Sequence, residues 1–192
     1  MGGFFGAVSK HDCMLDVFFG VDYHSHLGTR RGGLAAYDET IGLQREIHNI
    51  ENSPFRTKFE NVFDEMKGTS AIGCISDTDP QPLLIRSKLG TYAISIVGRI
   101  NNREELIDQY LLASGGHFDA MTGGNVNSTG LVAALINQKD SFCDGIKFAQ
   151  DVIDGTASIL ILKDNGHIIA ARDRLGRLPV IIGRNIDGYV VS

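Results

Sequence analysis

Apolar and polar positions along the chain follow two different periods, which predict strands and helices in turn. Short apolar runs bounded by Gly, Asn and Asp are typical of strands. They lie at residues 3–9, 34–37, 41–50, 71–75, 92–100, 156–162, 168–173 and 179–182. Asp164-Asn165-Gly166 separates two of these runs and is a strong signal for a hairpin turn.

Amphipathic segments between these runs predict the helices. Apolar residues recur at helical spacing in residues 13–26, 104–114, 128–136 and 141–153. Asn127 or Ser128 is the expected N-cap of the third of these helices. A further helix is predicted after Pro54. Its apolar face would be formed by Phe55, Phe59, Val62, Phe63 and Met66.

The order of these elements decides the fold class. Hairpins are interleaved with pairs of helices, and the regular strand-helix-strand alternation of parallel sheets is absent. This order predicts an α+β fold with antiparallel sheets and helices packed outside them. The 192 residues are enough for one domain. The chain stops at Tyr189-Val190-Val191-Ser192, within a predicted strand, so we expect a domain truncated at its C-terminus.

Composition bears on which partners the protein binds and on where in the cell it is located. The formal net charge is −5, so the chain lacks the positive charge typical of proteins that bind nucleic acid or anionic membranes. No apolar run approaches the roughly 18 residues of a membrane span, and the N-terminus lacks a secretory signal. Cys13, Cys74 and Cys143 are odd in number and widely spaced, which predicts no disulfide framework and favours a cytoplasmic location.

No metal or phosphate site is predicted. His11, Cys13, His24 and His26 carry ligating atoms, but no spacing fixes three or four of them around one ion. The pair Gly123-Gly124 is too isolated to form a phosphate-binding loop. We therefore expect neither a metal nor another cofactor in this domain.

Several short segments, each weak alone, occur in an order that resembles a known family. They are Gly2-Gly3-Phe4-Phe5-Gly6, Arg30-Arg31-Gly32, Ile72 to Asp77 with Gln81-Pro82, Ile96 to Asn102 with Glu104-Glu105-Leu106, Asn127 to Val132, and Arg172 to Pro179. On these segments the chain resembles the glutamine amidotransferases of the N-terminal-nucleophile class. Within that class it is most similar to the amidophosphoribosyltransferases, and the resemblance spans essentially the whole chain.

The resemblance implies a fold and a larger enzyme. The family has a four-layer α-β-β-α sandwich of two antiparallel sheets, the N-terminal-nucleophile hydrolase fold. In the family this domain releases ammonia from glutamine and passes it to a C-terminal phosphoribosyltransferase domain, in the first step of purine synthesis. We therefore expect residues 1–192 to form one amidotransferase-like domain, followed in the same polypeptide by a transferase domain. A homo-oligomer is compatible with this interpretation.

The residues that would carry the chemistry depart from the family pattern. Gly2 lies where the family has its nucleophilic cysteine, whose own α-amino group serves as the base. Ser76 replaces the arginine that pairs with the glutamine α-carboxylate. Val97 replaces the asparagine of the oxyanion hole, where Gly98 keeps a backbone N–H. Ser128 lies near the position of the aspartate that binds the glutamine α-amino group.

These departures predict a domain that is inactive as a glutaminase. Arg31 and Gly32 would support the pocket, as the family motif implies. Cys13 is an alternative nucleophile near a helix start, where the helix dipole would lower its pKa, although it lacks an α-amino base and a structural role is favoured. Cys74 is expected to be structural, and Cys143 is expected in the core.

Besides a working glutaminase with a relocated nucleophile, which is the least favoured hypothesis, two functions stay open at this point. One is a domain of an enzyme that uses free ammonia or another amine. The other is a non-catalytic small-molecule-binding, structural or regulatory module built on the same fold.

Overall fold

The computed structural model describes residues 2–192, except for the side chain of Phe63. The strands are β1 (Gly2–Ser9), β2 (Arg31–Asp38), β3 (Gly42–Asn49), β4 (Ser70–Ser76), β5 (Leu83–Ser87), β6 (Gly90–Ile100), β7 (Met121–Thr122), β8 (Asn125–Val126), β9 (Gly155–Lys163), β10 (Ile168–Ala171), β11 (Ile182–Arg184) and β12 (Gly188–Val191). They form a six-stranded sheet in the order β11-β12-β1-β4-β2-β3 and a four-stranded sheet in the order β10-β9-β6-β5. Strands β7 and β8 make a separate short hairpin.

All strand pairs within the two main sheets are antiparallel. The helices are α1 (Met14–Tyr23), α2 (Phe55–Lys58), α3 (Val62–Glu65), α4 (Arg103–Ser114), α5 (Ser128–Ile136) and α6 (Phe142–Val152), with a 3-10 turn at His24–Leu27. Within the described part of the chain, no helix is long and apolar enough to cross a membrane.

Three separate apolar cores define the layers. One core lies between the six-stranded sheet and helices α1, α2 and α3, and it contains Phe18, Leu34 and Phe59. A second lies between the four-stranded sheet and helices α4, α5 and α6. The third joins the two sheets face to face, with Phe4 and Ile72 from one sheet and Leu160 and Leu162 from the other. The order is therefore helix, sheet, sheet, helix, and the α+β four-layer prediction is confirmed.

The single helix predicted after Pro54 is wrong. The segment forms two short helices, α2 and α3, and the break includes Asn61, a residue type with weak helix propensity. The apolar face is nevertheless buried, because Phe55 and Phe59 stack with ring centroids 4.4 Å apart. Phe63, which was also assigned to this face, has a side chain outside the described residues.

The strand predicted at 179–182 begins later than expected. Strand β11 starts at Ile182, and it follows a turn that is held by the buried carboxylate of Asp173. Its two oxygens accept hydrogen bonds from the backbone N–H of Leu178 at 2.9 Å and of Leu175 at 3.1 Å. The segment from Arg172 to Pro179 is thus held by a structural carboxylate.

Helices α5 and α6 pack very closely at Gly145. A Cβ atom added to Gly145 would lie 2.4 Å from the backbone carbonyl oxygen of Ile136. Backbone atoms cannot move aside as a flexible side chain does, so only glycine fits at this contact.

We predict that Gly145→Ala destabilises the domain, although alanine is the better helix former by roughly 1 kcal/mol. Overpacking against the Ile136 carbonyl should outweigh that gain and lower the free energy of unfolding by about 1–2 kcal/mol in urea denaturation. Gly130→Ala in α5 is the matched control, since its Cβ would meet only side-chain atoms, the nearest 3.3 Å away. A Gly145→Ala protein as stable as the control would contradict this packing.

Candidate functional site

The candidate site is a cavity of about 320 Å³ where the ends of three strands meet the start of a helix. Strand β1 begins there, strand β4 ends there, strand β6 passes alongside, and helix α5 starts there. Residues Gly2 and Ser76 are direct partners in the β1–β4 pairing. The sheet register therefore brings the start of the chain beside the end of β4.

The five predicted pocket positions all line this cavity. They are Gly2, Ser76, Val97, Gly98 and Ser128. Their juxtaposition is a property of the fold, because they come from four elements that are distant in sequence. Their chemical roles stay a prediction.

The backbone around Gly2 leaves no room for a side chain. A Cβ atom added to Gly2 would lie 2.2 Å from the carbonyl oxygen of Ile75 on strand β4. A contact this short with a backbone atom requires a shift of β1 or β4. The close pairing of β1 with β4 therefore accommodates glycine at position 2 and no larger residue without a backbone shift.

Gln81 is the most extensively bonded polar side chain of the cavity wall. It is 3% exposed. Its amide nitrogen donates to the carbonyl oxygen of Ile96 at 2.9 Å, and its amide oxygen accepts from the Ile96 N–H at 2.8 Å. The same oxygen accepts from the Thr129 hydroxyl at 2.8 Å. Gln81 thereby ties the segment after β4 to both β6 and α5.

The N-terminus of α5 is occupied by groups of the protein itself. The Asn127 side-chain oxygen accepts from the N–H of Thr129 at 2.8 Å and of Gly130 at 3.2 Å, which confirms Asn127 as the N-cap. A buried Asp79 oxygen accepts from the Ser128 N–H at 2.9 Å. Asp79 thus satisfies a free helix N–H and places a negative charge at the positive end of the helix.

Arg31 and Gly32 lie next to the site without lining it. Both belong to β2, where Arg31 pairs with Ser76 and Gly32 pairs with Ile75. The Arg31 guanidinium donates to the carbonyl oxygen of Arg30 at 3.1 Å. They support the strand that carries Ser76, and their proposed influence on the pocket stays a prediction.

The expectation that the helix dipole lowers the pKa of Cys13 is wrong. Burial, together with the carboxylates of Asp12 and Asp16, raises the pKa of this thiol to about 12. Cys13 is 1% exposed in the core under α1 and is not among the residues that line the cavity. A protonated, buried thiol is a poor nucleophile.

The other two thiols have contrasting positions. Cys74 is buried between the sheets, and burial raises its pKa to about 12. Cys143 is exposed on α6, so its predicted core position is wrong. The apolar face of α6 is formed by its neighbours Ile146 and Ala149, and Cys143 lies off that face.

Sequence reasoning gave no pocket role to six polar residues of the cavity. They are Thr78, Asp79, Gln81, Arg99, Arg103 and Thr129. Arg99 directly follows the Val97-Gly98 pair that the motif comparison had identified, so its position was the available signal. The described residues contain no group of three or more His, Cys, Asp or Glu side chains placed to hold a metal ion.

Residues 66–192 match the family described as "Glutamine amidotransferase domain". That match covers well over half of the chain. The chain belongs to this glutamine amidotransferase family. It carries an N-terminal class II glutamine amidotransferase domain similar to those of the amidophosphoribosyltransferases, as the sequence motifs indicated.

Individual relatives agree with this assignment. The chain is 28% identical to an amidophosphoribosyltransferase of Archaeoglobus fulgidus over 180 residues and 27% identical to one of Methanocaldococcus jannaschii over 202 residues. These alignments cover 86% and 100% of the chain. The chain spans only 36% and 42% of the lengths of those two relatives.

Solved structures of glutamine amidotransferase domains are similar to this chain over its whole length. The glutamine phosphoribosylpyrophosphate amidotransferase of B. subtilis superposes with a TM-score of 0.83 and 26% identity. That comparison covers 100% of this chain and 41% of the B. subtilis chain. A class-II glutamine aminotransferase domain protein of Silicibacter pomeroyi shares the fold, with a TM-score of 0.67 at 13% identity.

The positions of the three thiols predict selective labelling. In the native protein at pH 8, a disulfide reagent such as Ellman's reagent should modify one thiol per chain rapidly, and that thiol should be Cys143. Cys143→Ser should abolish the rapid phase, whereas Cys13→Ser should leave it unchanged. Rapid modification of Cys13 in the folded protein would contradict its buried position.

Proposed function

We propose that this domain keeps the glutamine amidotransferase fold but does not hydrolyse glutamine. The observation that carries the proposal is Gly2 at the position of the family nucleophile. Glycine offers no side-chain atom to attack the glutamine amide, so no covalent thioester can form there. The close approach of the Ile75 carbonyl supports the view that the local backbone has adapted to this loss.

Three further departures support the proposal. The hydroxyl of Ser76 cannot make the bidentate pair that a guanidinium makes with a carboxylate. Val97 has no side-chain donor for a developing oxyanion, and one lost oxyanion-hole donor typically costs about 100- to 1,000-fold in rate. Ser128 carries no charge to pair with the α-amino group of glutamine. These losses affect binding as well as chemistry.

The hydrogen bonds within the cavity support a structural role for its remaining polar groups. Gln81 is bonded to Ile96 and Thr129, and Asp79 is bonded to the Ser128 N–H. These groups stabilise the site without a ligand. That arrangement accounts for how the cavity keeps its shape after the catalytic groups have been lost.

The lengths of the relatives support a place in a larger enzyme. The amidophosphoribosyltransferases that resemble this chain are more than twice as long as the part it spans. We infer that a phosphoribosyltransferase domain follows in the same polypeptide, that the whole protein acts in purine biosynthesis in the cytoplasm, and that it takes its nitrogen from free ammonia or another amine.

A non-catalytic binding or regulatory module is the second candidate. The observation in its favour is the cavity itself, which is still open at about 320 Å³ and lined by charged and hydroxyl side chains. The two candidates are compatible, because a domain of a larger enzyme can also bind a ligand.

The proposal predicts that the purified protein releases no ammonia from L-glutamine above the rate without enzyme. A functional amidophosphoribosyltransferase assayed in parallel is the positive control, and Cys13→Ala is the matched variant. Because Cys13 is buried and protonated, the variant should behave as the wild type does. Ammonia release by the wild type that is lost in Cys13→Ala would contradict the proposal and identify a relocated nucleophile.

A further inference from the structure

The cavity carries two guanidinium groups that the glutaminase chemistry does not explain. Arg99 lies near the end of β6 and Arg103 is the first residue of α4, and both line the cavity. On the motif comparison, the family arginine corresponds to Ser76 and to neither of these two positions. Both arginines lie on the wall formed by β6 and α4.

The two arginines differ in their ion pairing. Arg103 pairs with Glu104 at 2.8 Å, but Glu104 is 76% exposed, and exposed pairs of this kind contribute little. Within residues 2–192, no carboxylate forms an ion pair with Arg99. The Asp79 carboxylate is buried and already bonded at the start of α5. The cavity lining therefore carries two guanidinium groups and one carboxylate, and that carboxylate is buried at the start of α5.

The rest of the lining is rich in small hydrogen-bonding groups. Hydroxyls of Thr78 and Ser128 line the cavity beside the two arginines. Gly2 and Gly98 add no side-chain volume. A volume of about 320 Å³ is at the lower end of the range typical of small-molecule sites.

We propose that this cavity binds a small molecule through an oxyanion, a carboxylate or a phosphate, held by Arg99 and Arg103. This inference rests on the proposed function, since it assigns a ligand to a site that no longer processes glutamine. Guanidinium groups bind both kinds of oxyanion through charge-assisted hydrogen bonds. The hydroxyls of Thr78 and Ser128 would complete the coordination of the anion.

Isothermal titration of the purified protein tests the proposal. The probes are glutarate for the carboxylate, inorganic phosphate for the phosphate, and glutaramide as a neutral molecule of the same size as glutarate. We expect at least one of the two anions to bind and glutaramide not to bind. Binding should weaken as sodium chloride is raised, because the interaction is electrostatic.

Single charge removals locate the site. Arg99→Gln and Arg103→Gln should each weaken anion binding by about tenfold or more, which is the effect of losing a hydrogen bond between charged groups. Arg45→Gln is the matched control, because it removes the same charge from an exposed position on β3 outside the cavity. Its affinity should equal that of the wild type.

The outcomes separate this inference from the proposed function. Binding of glutarate alone supports a carboxylate ligand, and binding of phosphate alone supports a phosphorylated ligand. Failure of both anions to bind, equal binding of glutaramide, or unchanged affinity in Arg99→Gln and Arg103→Gln would overturn the inference. None of these results affects the glutaminase prediction, which is decided by ammonia release from glutamine.

Discussion

The site depends on the buried amide of Gln81, which joins the two sheets and a helix at one point. Its side chain pairs with both backbone groups of Ile96 on β6 and with the hydroxyl of Thr129 on α5. The backbone carbonyl oxygen of Gln81 accepts a hydrogen bond from the thiol of Cys74 on β4 at 3.4 Å. Leaving such buried groups unpaired would cost about 1–3 kcal/mol for each group, so these bonds stabilise the contact of β4, β6 and α5 beside the cavity.

The residues that stabilise the structure around the cavity differ from those at the positions of the family's catalytic groups. Gln81, Asp79 and Asn127 are bonded to the protein itself, and they keep β4, β6 and α5 in place whether or not a ligand is present. Gly2 and Val97 occupy positions where the family pattern requires reactive or donor groups. The residues that hold the elements together are therefore distinct from those at the predicted catalytic positions.

The periodic pattern of apolar residues predicted most strands and helices. It did not predict features that depend on packing between distant elements. Most strands and helices, and the N-cap of α5 as either Asn127 or Ser128, were predicted correctly because period and capping chemistry are local properties. Strand β5, which directly follows Pro82, was not predicted. The comparison with the family motifs identified five residues that line the cavity. The contacts of Gln81 with β6 and α5 could not be predicted, because they depend on how distant elements pack.

The substitution Gly2→Cys tests the central claim most directly, after removal of Met1 has been verified by mass spectrometry. It restores both the nucleophile and its α-amino base at the start of β1. The account predicts no glutamine hydrolysis, because the new Cβ would lie 2.2 Å from the Ile75 carbonyl oxygen and because the partners at positions 76, 97 and 128 are still missing. Steady ammonia release from glutamine by Gly2→Cys alone would show that the rest of the site is functional, and would contradict the account.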